Sequence, residues 1–270
     1  MITVDITQWS DENGSGAFTE MTEGVAEIIT NYSLGGVILF ADNLQDTEQI
    51  VRLNYGLQEA ASKSANKVPL FIGTDQEGGE IVRVKSATSL PGNMALGAIG
   101  QGVESYNAGQ ILGSELSALG INTNFAPSLD VNNNPKNPVI GLRSFSSNPT
   151  LVGALGTSMI KGMQEMSLIT AVKHFPGHGD TETDSHFGLP VVDKSLDELR
   201  KVELVPFQRA IEVGTDMVMT AHIQYPQIEK ETATSVADGS SITLPATLSK
   251  TFVTDLLKTE MGFTGVVTTD

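Results

Sequence analysis

Residues 173–186 read KHFPGHGDTETDSH and gather most of the groups in this chain that could move protons or bind a polar ligand. They include His174, His178 and His186, three of the four histidines, with Lys173, Asp180 and Asp184. Pro176, Gly177 and Gly179 oppose a helix, and the apolar run LITAV leads straight into them. A short buried strand delivering a polar loop at its C-terminal end is how (β/α) barrels assemble active sites. Asp184 and His186 stand two apart, and in extended backbone such residues point the same way. The carboxylate can then hold the ring N–H and fix its tautomer, leaving the imidazole to give and take a proton near neutral pH.

Two other chemistries compete for these residues. His174 and His178 are four apart and, with Asp180, Asp184 and His186, offer nitrogen and oxygen ligands to zinc. That spacing works on a helix, which the proline and glycines disfavour, and Lys173 would set a cation beside the metal. No metal is expected. A serine hydrolase would need a Gly-x-Ser-x-Gly elbow, which the sequence lacks, and Ser185 sits inside the Asp-Ser-His tripeptide where it cannot meet His186. A carboxylate nucleophile would come from another strand end: Asp75 in TDQEGG or Asp270 in VVTTD. An aspartate after a strand also commonly caps the next helix. Arg83 and Arg143 could bind hydroxyls or a carbonyl, or be surface charges.

The elements that must position these groups alternate between two periods. GGVILF, PLFIGTD, INTNFAPSLD, LITAVKHF, DMVMTAH and GVVTTD read as buried strands, with VDI near the start a seventh. Amphipathic stretches lie between them. Asp46 with Gln49 and Ser195 with Glu198 read as capping boxes, Ser249 as the cap of a helix ending near Gly262, and Pro206 as a break in the helix that Ser195 opens. Strand, helix, parallel strand implies an α/β fold. A doubly wound sheet would carry a glycine-rich fingerprint after its first strand and one switch point. Here Asp75, Asp130, Lys173, His174, His222 and Asp270 fall at the ends of many strands, the signature of a (β/α)8 TIM-type barrel. With strands short of eight, and Asp270 at a strand tip, the 270 residues read as a single catalytic barrel domain, incomplete and part of a longer protein.

Composition narrows the partners. With 16 basic against 32 acidic residues the formal charge is −16, which disfavours nucleic acid and anionic membranes. No cysteine is present, so disulfides and thiolate metal sites are excluded. No apolar run is long enough to span a bilayer, and MITVDITQWSDENG lacks the basic and apolar regions of a signal peptide; the compartment stays open.

KHFPGHGDTETDSHFGLP, TDQEGG, LPGNMALG, NPVIGLRSFSS, DMVMTAHI and GFTGVVTTD together resemble the β-N-acetylglucosaminidases of glycoside hydrolase family 3, of the Gram-positive bacterial type, through essentially the whole chain. The resemblance implies a (β/α)8 barrel and hydrolysis of terminal, non-reducing β-linked GlcNAc, as on peptidoglycan fragments. It implies no cofactor. It makes Asp270 the nucleophile and His186 the acid/base paired with Asp184, and it assigns Asp75, Arg83, Arg143, Lys173 and His174 to the sugar. A non-catalytic sugar-binding fragment and a GlcNAc phosphorylase remain as alternatives.

Overall fold

The computed structural model describes residues 2–11, 14–184, 188–236 and 238–270. Helices and strands alternate as the two periodicities require. In chain order they are β1 (Thr3–Asp5), the hairpin β2 (Gln8–Asp11) and β3 (Gly14–Ala17), α1 (Glu23–Tyr32), β4 (Gly36–Ile38), α2 (Thr47–Ser62) and β5 (Phe71–Thr74). Then come α3 (Asn93–Ile99), α4 (Gly102–Ala118), β6 (Thr123–Asn124), α5 (Pro149–Glu165), β7 (Ile169–Phe175), α6 (Leu196–Lys201), α7 (Leu204–Glu212) and β8 (Met217–Thr220). A second hairpin, β9 (Thr232–Thr234) and β10 (Ser241–Thr243), precedes a wide-turned π helix, Thr251–Glu260, and β11 (Val266–Thr269).

Seven strands form one parallel sheet in the order β1-β4-β5-β6-β7-β8-β11. Each strand adds beside the one before it, without the reversal that defines a doubly wound sheet. The sheet also curls. Thr3 of β1 and Val266 of β11 line one small cavity with Val37, Gly73, Thr123 and Met217. In a flat sheet six steps of about 4.8 Å would hold the two outer strands far apart. The architecture is a TIM-type barrel, incomplete among the described strands. Phe125, Ala171, Met217 and Met219 form the apolar cluster inside the curl, and the larger clusters lie between the sheet and its helices.

Capping chemistry sets the helix starts. Asp46 accepts the N–H of Gln49 at 3.0 Å, but Gln49 returns its side chain to the N–H of Gln45 rather than closing a box on Asp46. Ser195 and Glu198 do form the reciprocal box. The helix it opens ends at Lys201, and Pro206 falls in the first turn of α7, where its missing N–H costs nothing. Ser249 caps the π helix through Phe252, and Gly262 follows its end at φ +76°. Helices α4 and α5 approach closely at Gly162, where a Cβ would stand 2.2 Å from the Tyr106 carbonyl.

Candidate active site

The C-terminal ends of β5, β6 and β7 converge on one buried charge network. Asp75 and Glu77 follow β5 and both turn to Lys173, and Gln76 between them is buried. Its Oε1 accepts the N–H groups of Arg83 at 2.8 Å and Val84 at 3.0 Å, which fixes the loop. Lys173, in β7, lies between the two carboxylates: its Nζ is 2.6 Å from Asp75 Oδ1 and 2.8 Å from Glu77 Oε1. Arg143 closes on Glu77 from the other side with two parallel bonds, Nε at 3.0 Å and Nη2 at 2.8 Å. Arg83 reaches Asp75 only at 3.9 Å, with its guanidinium above the Phe40 ring.

A second layer holds His174. Its Nδ1 is 2.7 Å from Asp130 Oδ2 and its Nε2 is 3.3 Å from Arg143 Nη2. Arginine only donates, so Nε2 is the acceptor and the ring hydrogen sits on Nδ1, facing Asp130. Asp130, fully buried, also accepts the Ser128 hydroxyl at 2.9 Å and the His178 N–H at 2.6 Å. Both ring nitrogens of His174 are therefore engaged, beside a cation. Among the described residues no group of three His, Asp or Glu side chains could hold a metal ion.

These contacts set the ionisation. Burial pushes the Glu77 carboxyl up, but the charges of Lys173 and Arg143 outweigh it and hold the group down at about 2. Burial acts the same way on Asp130, and the two histidines overcome it, so Asp130 is also depressed. Burial pulls Lys173 down while Asp75 and Glu77 raise it, with a net rise. Burial lowers His178 against the charge of Asp130. A carboxylate depressed in the folded state adds stability above its unfolded value that is lost as pH falls through the folded value. For Glu77 that window runs from 4.5 down to about 2, and the loss is roughly 3 kcal/mol. Urea midpoints of the native protein should fall steeply across that window, and those of Glu77→Gln distinctly less; parallel curves would refute the assignment.

The remaining sequence-derived residues fall as follows. Asp270 is exposed just beyond β11, its N–H bonded to the Thr220 carbonyl at 3.1 Å and its backbone oxygen 3.0 Å from His222 Nε2. Its charge is near enough to act on the His178 ring. Asp184 is half-buried, with its carbonyl accepting the Gly188 N–H at 3.2 Å. Ser185, His186 and Phe187 lie outside the described residues, and so does the pairing expected between Asp184 and His186. Asp75, Arg83, Arg143, Lys173 and His174 come together as one network. Glu77, at its centre, was given no role by the sequence reading; its signal is the Asp-x-Glu spacing, which in extended backbone aims both acids the same way.

Residues 1–270 match the family model described as the glycosyl hydrolase family 3 N-terminal domain. The chain belongs to this family. It is 46% identical to beta-hexosaminidase A of Pseudoalteromonas piscicida over 94% of its own length and 43% of that protein's. A family 3 beta-N-acetylglucosaminidase from a Paenibacillus strain superposes with a TM-score of 0.87 and 47% identity, covering 93% of this chain and 46% of that one. NagZ from Neisseria gonorrhoeae, in complex with N-trifluoroacetyl-D-glucosamine, gives a TM-score of 0.83 and 34% identity over 100% of this chain and 73% of that one. The family 3 chain described here thus spans less than half of the first two proteins. No helix among its described residues is long and apolar enough to cross a membrane.

Proposed function

We propose that the protein is a retaining β-N-acetylglucosaminidase that hydrolyses terminal, non-reducing β-linked GlcNAc from glycans such as peptidoglycan fragments. The reading rests on one observation above all: the acid and base residues of three successive strand ends meet in one network at the mouth of the curl, and Asp270 stands at the end of the last strand. The Paenibacillus beta-N-acetylglucosaminidase and the N-trifluoroacetyl-D-glucosamine complex of NagZ support the same sugar.

Asp270 attacks the anomeric carbon as the bond to the leaving oxygen breaks, and His186, oriented by Asp184, gives that oxygen its proton. The product is a glycosyl-aspartate. Water then attacks the same carbon, yields a proton to His186 and expels Asp270, so configuration is retained after two inversions. Retaining enzymes generally place two carboxyls about 5–5.5 Å apart for these roles; here an imidazole takes one of them. Asp75 and Arg83, the more accessible members of the network, present an acceptor and donors to the sugar hydroxyls. Lys173, Arg143 and His174 complete the floor of the pocket, with Glu77 and Asp130 holding them in place.

Turnover of 4-nitrophenyl β-N-acetylglucosaminide is the direct assay; binding without turnover would overturn the enzymatic reading. His186→Ala should slow alkyl or sugar aglycones by about 10²–10⁴-fold, the usual worth of a proton transferred in the transition state. Activated aryl glycosides, whose leaving groups need no proton, should lose far less. Equal losses on both would remove the acid role.

A further inference from the structure

The segment that joins β7 to α6 carries Asp184 and His186, and its two ends are tied down by different means. At its start the Gly177 carbonyl accepts the Tyr225 hydroxyl at 2.8 Å. Asn137 Nδ2 donates to the His178 carbonyl at 2.8 Å, and Asn134 Nδ2 to that of Asp180 at 3.3 Å. Gly179 lies flat on the preceding loop; a Cβ there would stand 1.8 Å from the Val131 carbonyl. At its far end Pro190 and Val192 pair with the backbone of Gln224, both at 2.9 Å.

One cation joins these two ends. Lys194 Nζ lies 2.8 Å from Asp180 Oδ2 and 2.6 Å from Glu203 Oε1. Glu203 is buried at the start of α7 and receives Asn133 Nδ2 at 2.7 Å on the same oxygen. The Asp180–Lys194 pair thus closes the base of the segment like a clasp, and Glu203 anchors the clasp to the body of the domain. Charge-assisted bonds this short are the strong kind, and they hold a geometry as well as a charge.

We propose that Lys194 and Asp180 are positioning residues: by tying together the two ends of the segment between β7 and α6 they support the acid/base function assigned above to that segment. This rests on the acid/base reading given above. The clasp has no contact with substrate in this role; it acts through the segment. A displacement near 1 Å at a reacting group costs on the order of 10²-fold in rate, so an ion pair that touches no substrate can matter this much.

Asp180→Asn is the informative variant, because it opens the clasp while leaving Glu203 its cation; Lys194→Met would also strand a buried carboxylate. The expected result has two parts. Amide exchange of the peptide covering 181–190 rises in Asp180→Asn while the melting temperature holds. Turnover of a methyl β-N-acetylglucosaminide drops at least about tenfold, part of that positional cost, with KM and the rate on a dinitrophenyl glycoside nearly unchanged. Unaltered exchange would overturn the clasp whatever the kinetics. Faster exchange with equal losses on both substrates, while His186→Ala discriminates between them, would overturn the positioning role. If His186→Ala itself fails to discriminate, the acid/base reading falls, and the positioning role with it.

Discussion

Asp270→Asn should lose turnover by on the order of 10⁴–10⁶-fold, the scale seen when a member of a nucleophilic catalytic unit is removed, while its melting temperature stays at the native value. The second half of the expectation comes from the structure. What ties the residue to its neighbours are backbone contacts with Thr220 and His222 that asparagine keeps. Loss of activity with intact folding therefore isolates the chemistry. Azide, small enough to enter the space beside the weakened side chain, should restore part of the rate. It should also yield a glycosyl azide of inverted configuration, since one displacement has replaced two. A variant retaining more than a tenth of native turnover would remove Asp270 from the nucleophile's role.

Lys173→Met should be the most destabilising substitution in the buried charge network. The side chain is 3% exposed and lies within 2.8 Å of two carboxylates. Removing one partner of a buried ion pair typically costs about 3–5 kcal/mol, because the other charge is left without compensation. In a domain this size that corresponds to a fall in Tm of roughly 10 °C. Asp75→Asn in the same chain should recover part of the loss, since Glu77 then keeps both of its bonds from Arg143 and no carboxylate is left unpaired. A coupling above about 1 kcal/mol in the Lys173–Asp75 cycle is expected for groups in direct contact. Strict additivity would mean that the two charges do not depend on one another.

The seven strands of the parallel sheet were legible in sequence because each is a short β-branched or apolar run bounded by breakers, whereas the hairpin strands β2, β3, β9 and β10 were not read. INTNFAPSLD is the instructive case. The run reads as a full strand, yet only Thr123 and Asn124 pair as one, with a single further bridge from Ser128 to Lys173. Pro127 has no N–H to give a ladder, so the regular strand stops before it; its carbonyl and the Leu129 N–H still bond the backbone of Lys173, which brings Asp130 to His174. The site was partly legible for a related reason. Residues that share a motif, such as Lys173 and His174, announce themselves by neighbourhood. Glu77 takes its meaning from Arg143, sixty-six positions away, and no local pattern carries that distance. The clasp was hidden similarly: Asp180 was visible only as one acid in a polar loop, while Lys194 and Glu203 gave no sign that they would meet it.

Counting signs around the pocket floor gives three anions, Asp75, Glu77 and Asp130, against three cations, Lys173, Arg143 and Arg83, in a protein whose overall charge is −16. The floor is electroneutral although the molecule is not. On the proposed function, an uncharged pyranose arriving there would meet charges most of which folding has already buried and paired with one another. Neither sign is in excess there, so a neutral ligand would need no counter-charge of its own.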